Sequence, residues 1–232
     1  MRGTDTAGWP RAIVFDLDGT LVDSAPDIRI AINAAFAPLG VAPFDLPAVK
    51  GMIGGGARAA IGRAAAQAGL TLSAADTEAA LERFYPVYAE ASSAGRGLYP
   101  GAVELLSDLT ARGIPLGLCT NKAEHVTAIA LAALDIRRFF KSVVGARDDL
   151  PKKPDPTMLR AAFEPLGVDA SAVVMIGDTA ADIGAARAAG CRSVALAHGY
   201  SRVPVAELGA DAMAASLADV PSALRTLLPA NS

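Results

Sequence analysis

The chain has 232 residues, of which 52% are hydrophobic, and a net charge of −3. This length fits one large domain or one domain with a smaller insert, and the hydrophobic fraction is sufficient for a sizeable core. The net charge gives no sign of the basic patch that nucleic-acid binding requires, and no segment approaches the ~18 consecutive apolar residues of a membrane span.

The first element is expected to be a buried parallel strand at residues 12–15. This segment reads Ala-Ile-Val-Phe and ends abruptly in acidic and glycine residues. Strands covered on both faces of a parallel sheet have such a continuous apolar pattern. In open α/β sheets, ligands bind beyond the carboxyl ends of the strands, so the residues after this run are candidates for chemistry.

Residues 24–98 are expected to form a helical insert with no convincing strand. Helical patterns occur in it at residues 26–39, 57–68 and 74–91. Ser73 and Asp76 have the spacing of a capping box at the start of the third pattern, with Asp in place of Glu. An insert between the first strand and the rest of a sheet is the simplest explanation.

From residue 99 onward, apolar runs alternate with helical patterns. Predicted strands lie at residues 115–119, 142–144, 172–176 and 192–196, and predicted helices lie at residues 103–112, 123–134, 156–166 and 180–189. This alternation indicates βαβ units. The sequence therefore predicts an α/β fold, in which residues 10–23 and 99–232 form a doubly wound, Rossmann-like parallel sheet and residues 24–98 an inserted domain. The segment after residue 197 is expected to complete the sheet.

Four carboxylates follow two of the predicted strands. Asp16 and Asp18 come after the first, where Gly19 permits a bend, and Asp178 and Asp182 come after the fourth. Each pair alone has a structural explanation, as a polar turn or as an acid at a helix N-terminus. Together they would repel one another, by roughly 4 kcal/mol per pair at 4 Å and an intermediate dielectric, so a cation is expected. Carboxylate oxygens suit Mg²⁺.

Two further polar segments also follow predicted strands. Thr120 and Asn121 stand where a helix is expected to begin, so they could cap that helix, bind phosphate at its N-terminus, or do both. Lys152 and Lys153 follow the next strand, in a loop with two prolines. A loop lysine is commonly solvated, but one placed here could neutralise a phosphate and an attacking carboxylate.

In order and spacing, these four segments resemble the haloacid dehalogenase-like superfamily of phosphatases, over residues 13 to about 196. The resemblance implies that Asp16 is the nucleophile and Asp18 the general acid and base. It also implies that Thr120 and Asn121 bind phosphate. Lys153 precedes a Pro-x-Pro unit, as the lysine of the family does, and would lie beside the phosphate. The expected activity is Mg²⁺-dependent hydrolysis of a small phosphate substrate.

The same resemblance places the metal site among Asp16, Asp18, Asp178 and Asp182, with Asp178 as a direct ligand and Asp182 farther out. Asp16 would attack phosphorus in line and form an aspartyl-phosphate. Asp18 would protonate the leaving alkoxide and then accept a proton from water. Mg²⁺ and the lysine would offset charge on the transferred phosphoryl group.

The helical insert resembles the cap domain of phosphoglycolate phosphatases, which makes 2-phosphoglycolate the expected substrate. A glycine-rich segment at residues 51–58 precedes one of its helices. The backbone N–H groups of Gly55 and Gly56 and the guanidinium of Arg58 are expected to bind the substrate carboxylate. The alternative is a flexible turn with a solvated arginine.

Other functions stay open at this point. A related small-molecule phosphatase, a pyrophosphatase or a phosphomutase of the same superfamily would carry the same catalytic residues. A dehalogenase would have another residue in place of Asp18, and Lys50 is the insert's only lysine for the imine of a phosphonate hydrolase. A catalytically silent binding protein would be expected to lack at least one catalytic group.

The chain is expected to be cytoplasmic, and to be a monomer or a homodimer. Cys119 and Cys191 are its only cysteines and lie in apolar surroundings, which is typical of reduced core thiols. Residues 1–10 contain one arginine and no apolar core, so they are not expected to be a secretory signal.

Overall fold

The computed structural model describes residues 10–227, and its strands form one six-stranded parallel sheet. The strands are β1 (Ala12–Phe15), β2 (Leu116–Ala123), β3 (Phe140–Ala146), β4 (Val173–Gly177), β5 (Arg192–Leu196) and β6 (Ala212–Ala214). Their order is β3-β2-β1-β4-β5-β6, and every neighbouring pair is parallel. This is the order of a doubly wound Rossmann-type sheet, so the predicted fold class is confirmed.

Nine α-helices lie within residues 10–227, five of them between β1 and β2 in the chain. They are α1 (Ala25–Phe36), α2 (Leu46–Met52), α3 (Ala57–Gln67), α4 (Ala74–Ser92), α5 (Ala102–Ala111), α6 (Glu124–Ala133), α7 (Thr157–Phe163), α8 (Ala180–Ala189) and α9 (Val220–Thr226). Short 3₁₀ turns lie at Ala37–Leu39, Arg137–Phe139, Glu164–Leu166, Ala170–Ala172, Val205–Leu208 and Leu217–Asp219. As expected, the segment after residue 197 completes the sheet, through β6.

β1 lies inside the sheet, between β2 and β4, and its apolar side chains are covered on both faces. All four of its residues are fully buried. Its last residue, Phe15, pairs with Leu118 of β2 and with Ile176 of β4. Because parallel strands end at the same edge of a sheet, the residues that follow these three positions come together there.

β2 extends beyond its predicted end. After a register irregularity, Ala123 pairs with Ala146 of β3, so the chain stays extended up to that point. Helix α6 begins only at Glu124, with Ala123 as its N-cap and with no side-chain capping bond. The interpretation of Thr120 and Asn121 as helix caps is therefore wrong, and the two residues belong to the strand end instead.

Helices α1 to α4 pack on one another around their own hydrophobic cluster, which includes Phe36, Ile61 and Phe84. α4 begins at the predicted capping box. The N–H of Asp76 donates to Oγ of Ser73 at 3.1 Å, and the N–H of Ser73 donates to the carboxylate of Asp76 at 3.1 Å. The predicted inserted helices are thus present. The domain boundaries at residues 24 and 98 stay a prediction.

In the described part of the chain, no helix is both long and apolar enough to cross a membrane. Cys119 and Cys191 are buried free thiols, as expected. Residues 1–9, on which the expectation about a secretory signal mainly rests, lie outside the described residues.

Candidate active site

The turn after β1 brings Asp16 to the carboxyl edge of the sheet. Its N–H donates to the carbonyl oxygen of Ile176 at 2.9 Å, which extends the pairing of β1 with β4 by one residue. Gly19 then has a φ of 88°, in the left-handed region that favours glycine. A Cβ at Gly19 would lie 2.3 Å from Oδ2 of Asp178. A residue without a side chain is therefore needed for this turn to approach the carboxylate of Asp178.

Lys153 is a buried cation at the centre of the site. Its Nζ lies 3.0 Å from Oδ1 of Asp16 and 2.6 Å from Oδ1 of Asp182, and it donates to the carbonyl oxygen of Cys119 at 2.5 Å. These contacts match the three donors of an ammonium group. Burial lowers the pKa of Lys153, but the charges of Asp16 and Asp182 outweigh burial and raise it overall. The structure thus brings Lys153, rather than the adjacent Lys152, to Asp16.

Asn121 positions the loop that carries Lys153. Its Nδ2 donates to the carbonyl oxygen of Lys153 at 2.9 Å, and the N–H of Lys153 donates to its Oδ1 at 3.0 Å. Since the amide is engaged in this way, contact of Asn121 with phosphate stays a prediction. Thr120 is buried at the same strand end, and its Oγ1 accepts a hydrogen bond from the N–H of Lys122 at 3.2 Å.

Asp16, Asp178 and Asp182 form a buried acidic cluster. One carboxylate oxygen of each lies within 4.8 Å of the other two. Burial raises the pKa of Asp16 to about 7, an effect that Lys153 opposes and Asp182 reinforces. Burial also raises the pKa of Asp178 well above its usual value, and the charges of Asp182 and Asp16 raise it further. A cation bound among these oxygens would remove the repulsion that the cluster contains.

The cluster fits a hard divalent cation. Its potential ligands are all carboxylate oxygens, the donors that such ions prefer. Oδ1 of Asp16 is buried and, apart from its ion pair with Lys153, has no hydrogen-bond partner among the described residues. The carboxylate of Asp178 is held from two sides, by the hydroxyl of Thr20 at 2.8 Å and by the N–H of Tyr200 at 2.6 Å. Such partners orient a ligand carboxylate.

The two carboxylate oxygens of Asp182 have different partners. One oxygen faces the cluster and Lys153. The other accepts hydrogen bonds from the N–H and the hydroxyl of Thr179, at 2.9 and 2.7 Å, which completes a capping box at the start of α8. The same side chain therefore caps a helix and belongs to the acidic cluster.

Asp18 lies outside the acidic cluster and contacts two residues to which the sequence analysis gave no role. Nζ of Lys122 lies 3.2 Å from its Oδ1, and the hydroxyl of Tyr88, on α4, lies 3.4 Å from its Oδ2. Lys122 also contacts the hydroxyl of Tyr88 and lies 3.9 Å from the centre of its ring. Burial lowers the pKa of Lys122, and the charge of Asp18 opposes this shift. Lys122 could have been identified from the sequence, because it directly follows Thr120 and Asn121. Tyr88 could not, because the residue pattern of α4 does not distinguish it from the other buried residues of the helix.

A cavity lies between the sheet edge and the inserted helices. On the sheet side it is lined by residues of the predicted site, namely Asp16, Asp18, Thr120, Asn121, Lys153 and Asp182. On the other side it is lined by Phe84 and Tyr88 of α4 and by residues 53–57. Gly55 and Gly56 are among the latter, with φ values of 77° and 85°. The structure therefore brings the predicted glycine loop over the predicted catalytic groups.

Arg58 does not line this cavity among the described residues. Its guanidinium forms an ion pair with Glu78 at 2.6 Å, and both side chains are 56% exposed. Arg58 lies in the first turn of α3 and is exposed. Binding of the substrate carboxylate by Arg58 stays a prediction.

Comparison with known proteins agrees with this geometry. Residues 10–190 match the sequence model of haloacid dehalogenase-like hydrolases. The chain is 46% identical over 205 residues to the phosphoglycolate phosphatase of Rhodospirillum rubrum, covering 87% of this chain and 85% of that one. It is 42% identical over 216 residues to the phosphoglycolate phosphatase of Caulobacter vibrioides, covering 93% and 91%. A crystal structure described as a predicted phosphoglycolate phosphatase from Haemophilus somnus superposes with a TM-score of 0.83 at 32% identity, covering 91% and 96%.

Proposed function

The chain belongs to the haloacid dehalogenase-like hydrolase family and is a phosphatase, and from that premise we propose that it hydrolyses 2-phosphoglycolate to glycolate and phosphate. The observation that carries the chemistry is Asp16, a buried carboxylate paired with Lys153 at the base of an enclosed cavity. The similarity of the whole chain to proteins named phosphoglycolate phosphatase supports the choice of substrate.

Asp16 is the proposed nucleophile. Its carboxylate oxygen forms a bond to phosphorus while the bond from phosphorus to the ester oxygen breaks, which gives an aspartyl-phosphate and an alkoxide. Lys153, 3.0 Å from Oδ1 of Asp16, offsets negative charge on the transferred group. Because burial raises the pKa of Asp16 to about 7, part of this carboxyl is protonated near neutral pH unless a cation favours the charged form.

Asp18 is the proposed general acid and base. It donates a proton to the leaving alkoxide in the first step and accepts one from the attacking water in the second. Its contacts with Lys122 at 3.2 Å and Tyr88 at 3.4 Å fix its orientation away from the acidic cluster. This separation supports assigning proton transfer to Asp18 and metal binding to the cluster.

The proposed metal is Mg²⁺, with Asp16, Asp178 and Asp182 as the residues that would hold it. These three buried carboxylates supply the hard oxygen ligands that this ion prefers. When bound, Mg²⁺ would neutralise charge on the phosphoryl oxygens and on the cluster itself. Mg²⁺ usually keeps several water ligands and binds substrate phosphate, so these would complete its ligands.

The lining of the cavity supports a small substrate. Phe84 and Tyr88 of the inserted helices line it together with Asp16 and Asp18. Gly55 and Gly56 bring backbone close to the same space, where their N–H groups are the proposed donors to the substrate. A short acid such as glycolate is the proposed leaving group.

The test is phosphate release from 2-phosphoglycolate, sugar phosphates, nucleoside monophosphates and pyrophosphate, each assayed with Mg²⁺ and with EDTA. We expect 2-phosphoglycolate to give the highest kcat/KM and EDTA to abolish turnover. Asp16→Asn should remove nearly all activity while the circular dichroism spectrum is unchanged. Preference for another phosphate would refute the substrate, and turnover in EDTA would refute the metal dependence.

We also propose a cytoplasmic location, which the free, buried thiols of Cys119 and Cys191 support. Oligomeric state stays a prediction of a monomer or a homodimer, and light scattering of the purified chain distinguishes the two.

A further inference from the structure

A second cavity adjoins the active site and opens between the inserted helices and the loop after β5. It shares Ile53, Gly54, Gly55, Lys153 and Thr179 with the cavity over Asp16. A ligand whose phosphate lies at Lys153 could therefore extend into it. What the second cavity offers chemically is set by its remaining lining residues.

The outer part of this second cavity is cationic. Arg63 of α3 lines it from the inserted helices, and Arg202 lines it from the loop after β5. Lys153 also lines the cavity, but its charge is matched by Asp16 and Asp182. The cationic character therefore comes from the two arginines, and none of the described residues that line the cavity is acidic. A concave surface with several cations and no carboxylate attracts anions and excludes cations.

Arg63 is pre-organised for such a role. The side chain is half-buried, Nε donates to the carbonyl oxygen of Met52 at 2.8 Å, and a terminal nitrogen donates to that of Gly54. A guanidinium has five N–H donors, so these two bonds leave others for a ligand. Both partners are neutral, and within residues 10–227 no carboxylate forms an ion pair with Arg63.

Arg202 supplies the second charge from the opposite side. It is exposed and likewise has no ion pair within the described range of the chain. The two guanidinium groups line the same cavity. Burial lowers the pKa of Arg63, and the positive charge of Arg202 lowers it further. Both guanidinium groups are positively charged and have no counter-charge among the cavity-lining residues that the structure describes. An anion bound between them would reduce their repulsion.

We propose that Arg63 and Arg202 form an anion subsite, which binds the negatively charged group of the substrate that is not hydrolysed. This inference rests on the proposed function, in which that group is the carboxylate of 2-phosphoglycolate. It assigns carboxylate recognition to Arg63 and Arg202 in place of Arg58, which is paired with Glu78 outside the cavity. Because Arg63 belongs to the insert and Arg202 to the sheet side, a bound anion would also draw the two sides of the cavity together.

The experiment compares a phosphate ester that carries a second anionic group with one of similar length that lacks it. We would measure kcat/KM for 2-phosphoglycolate and for ethyl phosphate, with Mg²⁺, in the wild type and in Arg202→Ala, Arg202→Lys and Arg63→Gln. Hydrogen bonds to charged groups are lost in Arg202→Ala, so kcat/KM for 2-phosphoglycolate should fall about 10- to 100-fold. The value for ethyl phosphate should stay within about twofold, and Arg202→Lys should recover part of the loss.

Arg29→Ala is the matched control, because Arg29 is exposed on α1 and lies outside both cavities. Arg63→Gln should show the same selective loss of kcat/KM as Arg202→Ala. Its Tm is measured as well, because the substitution also removes the hydrogen bonds to Met52 and Gly54 and a lower Tm would show the loss of stability that this causes. Equal losses on both substrates in Arg202→Ala, or no loss on either, would overturn the subsite.

A further pair of substrates separates failure of the subsite from failure of the proposed function. If the wild type does not hydrolyse 2-phosphoglycolate, the function fails, and propane-1,3-diol bisphosphate is compared with propyl phosphate. A selective loss on the bisphosphate in Arg202→Ala would retain the subsite with a second phosphate as its ligand. If the wild type does not favour either substrate with a second anionic group over the alkyl phosphate that lacks it, the subsite is wrong.

Discussion

Replacing Lys153 with Met removes the cation on which the buried carboxylates depend. Nζ lies 3.0 Å from Asp16 and 2.6 Å from Asp182, and at an effective dielectric of ~20 each attraction is worth about 6 kcal/mol. The net effect is smaller, because burial of the ammonium opposes it. Breaking one side of a buried ion pair typically destabilises a protein by ~3–5 kcal/mol. We expect a loss of this size in the free energy of unfolding of the metal-free Lys153→Met protein.

The same substitution should lower activity by more than folding explains. Without Lys153 the pKa of Asp16 rises further above its value of about 7, so less of the nucleophile is charged at neutral pH. Loss of one electrostatic contact to the reacting group typically costs ~10²–10³-fold in kcat. Phosphate release between pH 5 and pH 9 should show this loss, and the activity remaining should peak at higher pH.

Lys152→Met is the matched control, since Lys152 takes part in none of the ion pairs formed by residues 10–227. The control should keep the stability and the pH profile of the wild type. If Lys153→Met kept its kcat/KM within tenfold, with an unchanged pH profile, the reasoning from the Lys153–Asp16 pair would be refuted.

Three further predictions follow from the site. The pKa values of Asp16 and Asp178 are raised in the folded protein, so the contribution of these two groups to metal-free stability is fully present below about pH 4 and falls as pH rises towards 7. The increase in Tm caused by Mg²⁺ should accordingly be larger at pH 8 than at pH 5, and an equal increase would contradict the cluster as the metal site. Lys122→Met should lower kcat about 10- to 100-fold on 2-phosphoglycolate, because Lys122 orients Asp18. The loss should be much smaller on p-nitrophenyl phosphate, whose leaving group does not need the proton of Asp18. Equal losses on both substrates would contradict the role of Lys122 in orienting Asp18. Gly19→Ala should destabilise the fold by ~1–3 kcal/mol in urea unfolding, because its Cβ would lie 2.3 Å from the carboxylate of Asp178; a stability equal to the wild type would contradict the close approach.

The sheet could be predicted from the sequence where burial alone decides the pattern. β1 and β5 begin and end at their predicted residues, since a strand buried on both faces needs an uninterrupted apolar run. The end of β2 could not be predicted, because Thr120 to Lys122 are polar and lie in a register irregularity between Cys119 and Ala123, which pair with β3. Asn121 and Lys122 are held there by contacts in the site. α2 was missed since Pro47 and Gly51 are normally read as helix breakers. Pro47 lies in the first turn, where its missing N–H costs nothing.

The acidic residues and Lys153 could be located from the sequence because strand ends meet at one edge of a parallel sheet. Contacts made from the inserted helices could not, because they depend on how a helix is rotated about its own axis. Arg58 and Arg63 are five positions apart on α3, and only Arg63 lines a cavity. Tyr88 reaches Asp18 for the same reason. A helical pattern identifies the buried face of α4 but not which buried residue contacts the site.

Tyr200 shows why fold and site cannot be separated in this protein. Its N–H donates to Oδ2 of Asp178 at 2.6 Å, and its hydroxyl donates to Asp23 at 2.5 Å and accepts from the N–H of Ala25 at 3.0 Å. Asp23 and Ala25 lie where the chain leaves the sheet for the inserted helices, and Asp178 belongs to the acidic cluster. One residue therefore fixes both the start of the insert, through its side chain, and a carboxylate of the cluster, through its backbone N–H. Since Arg202 follows Tyr200 by two residues, the proposed anion subsite lies on the same loop and shares this anchor.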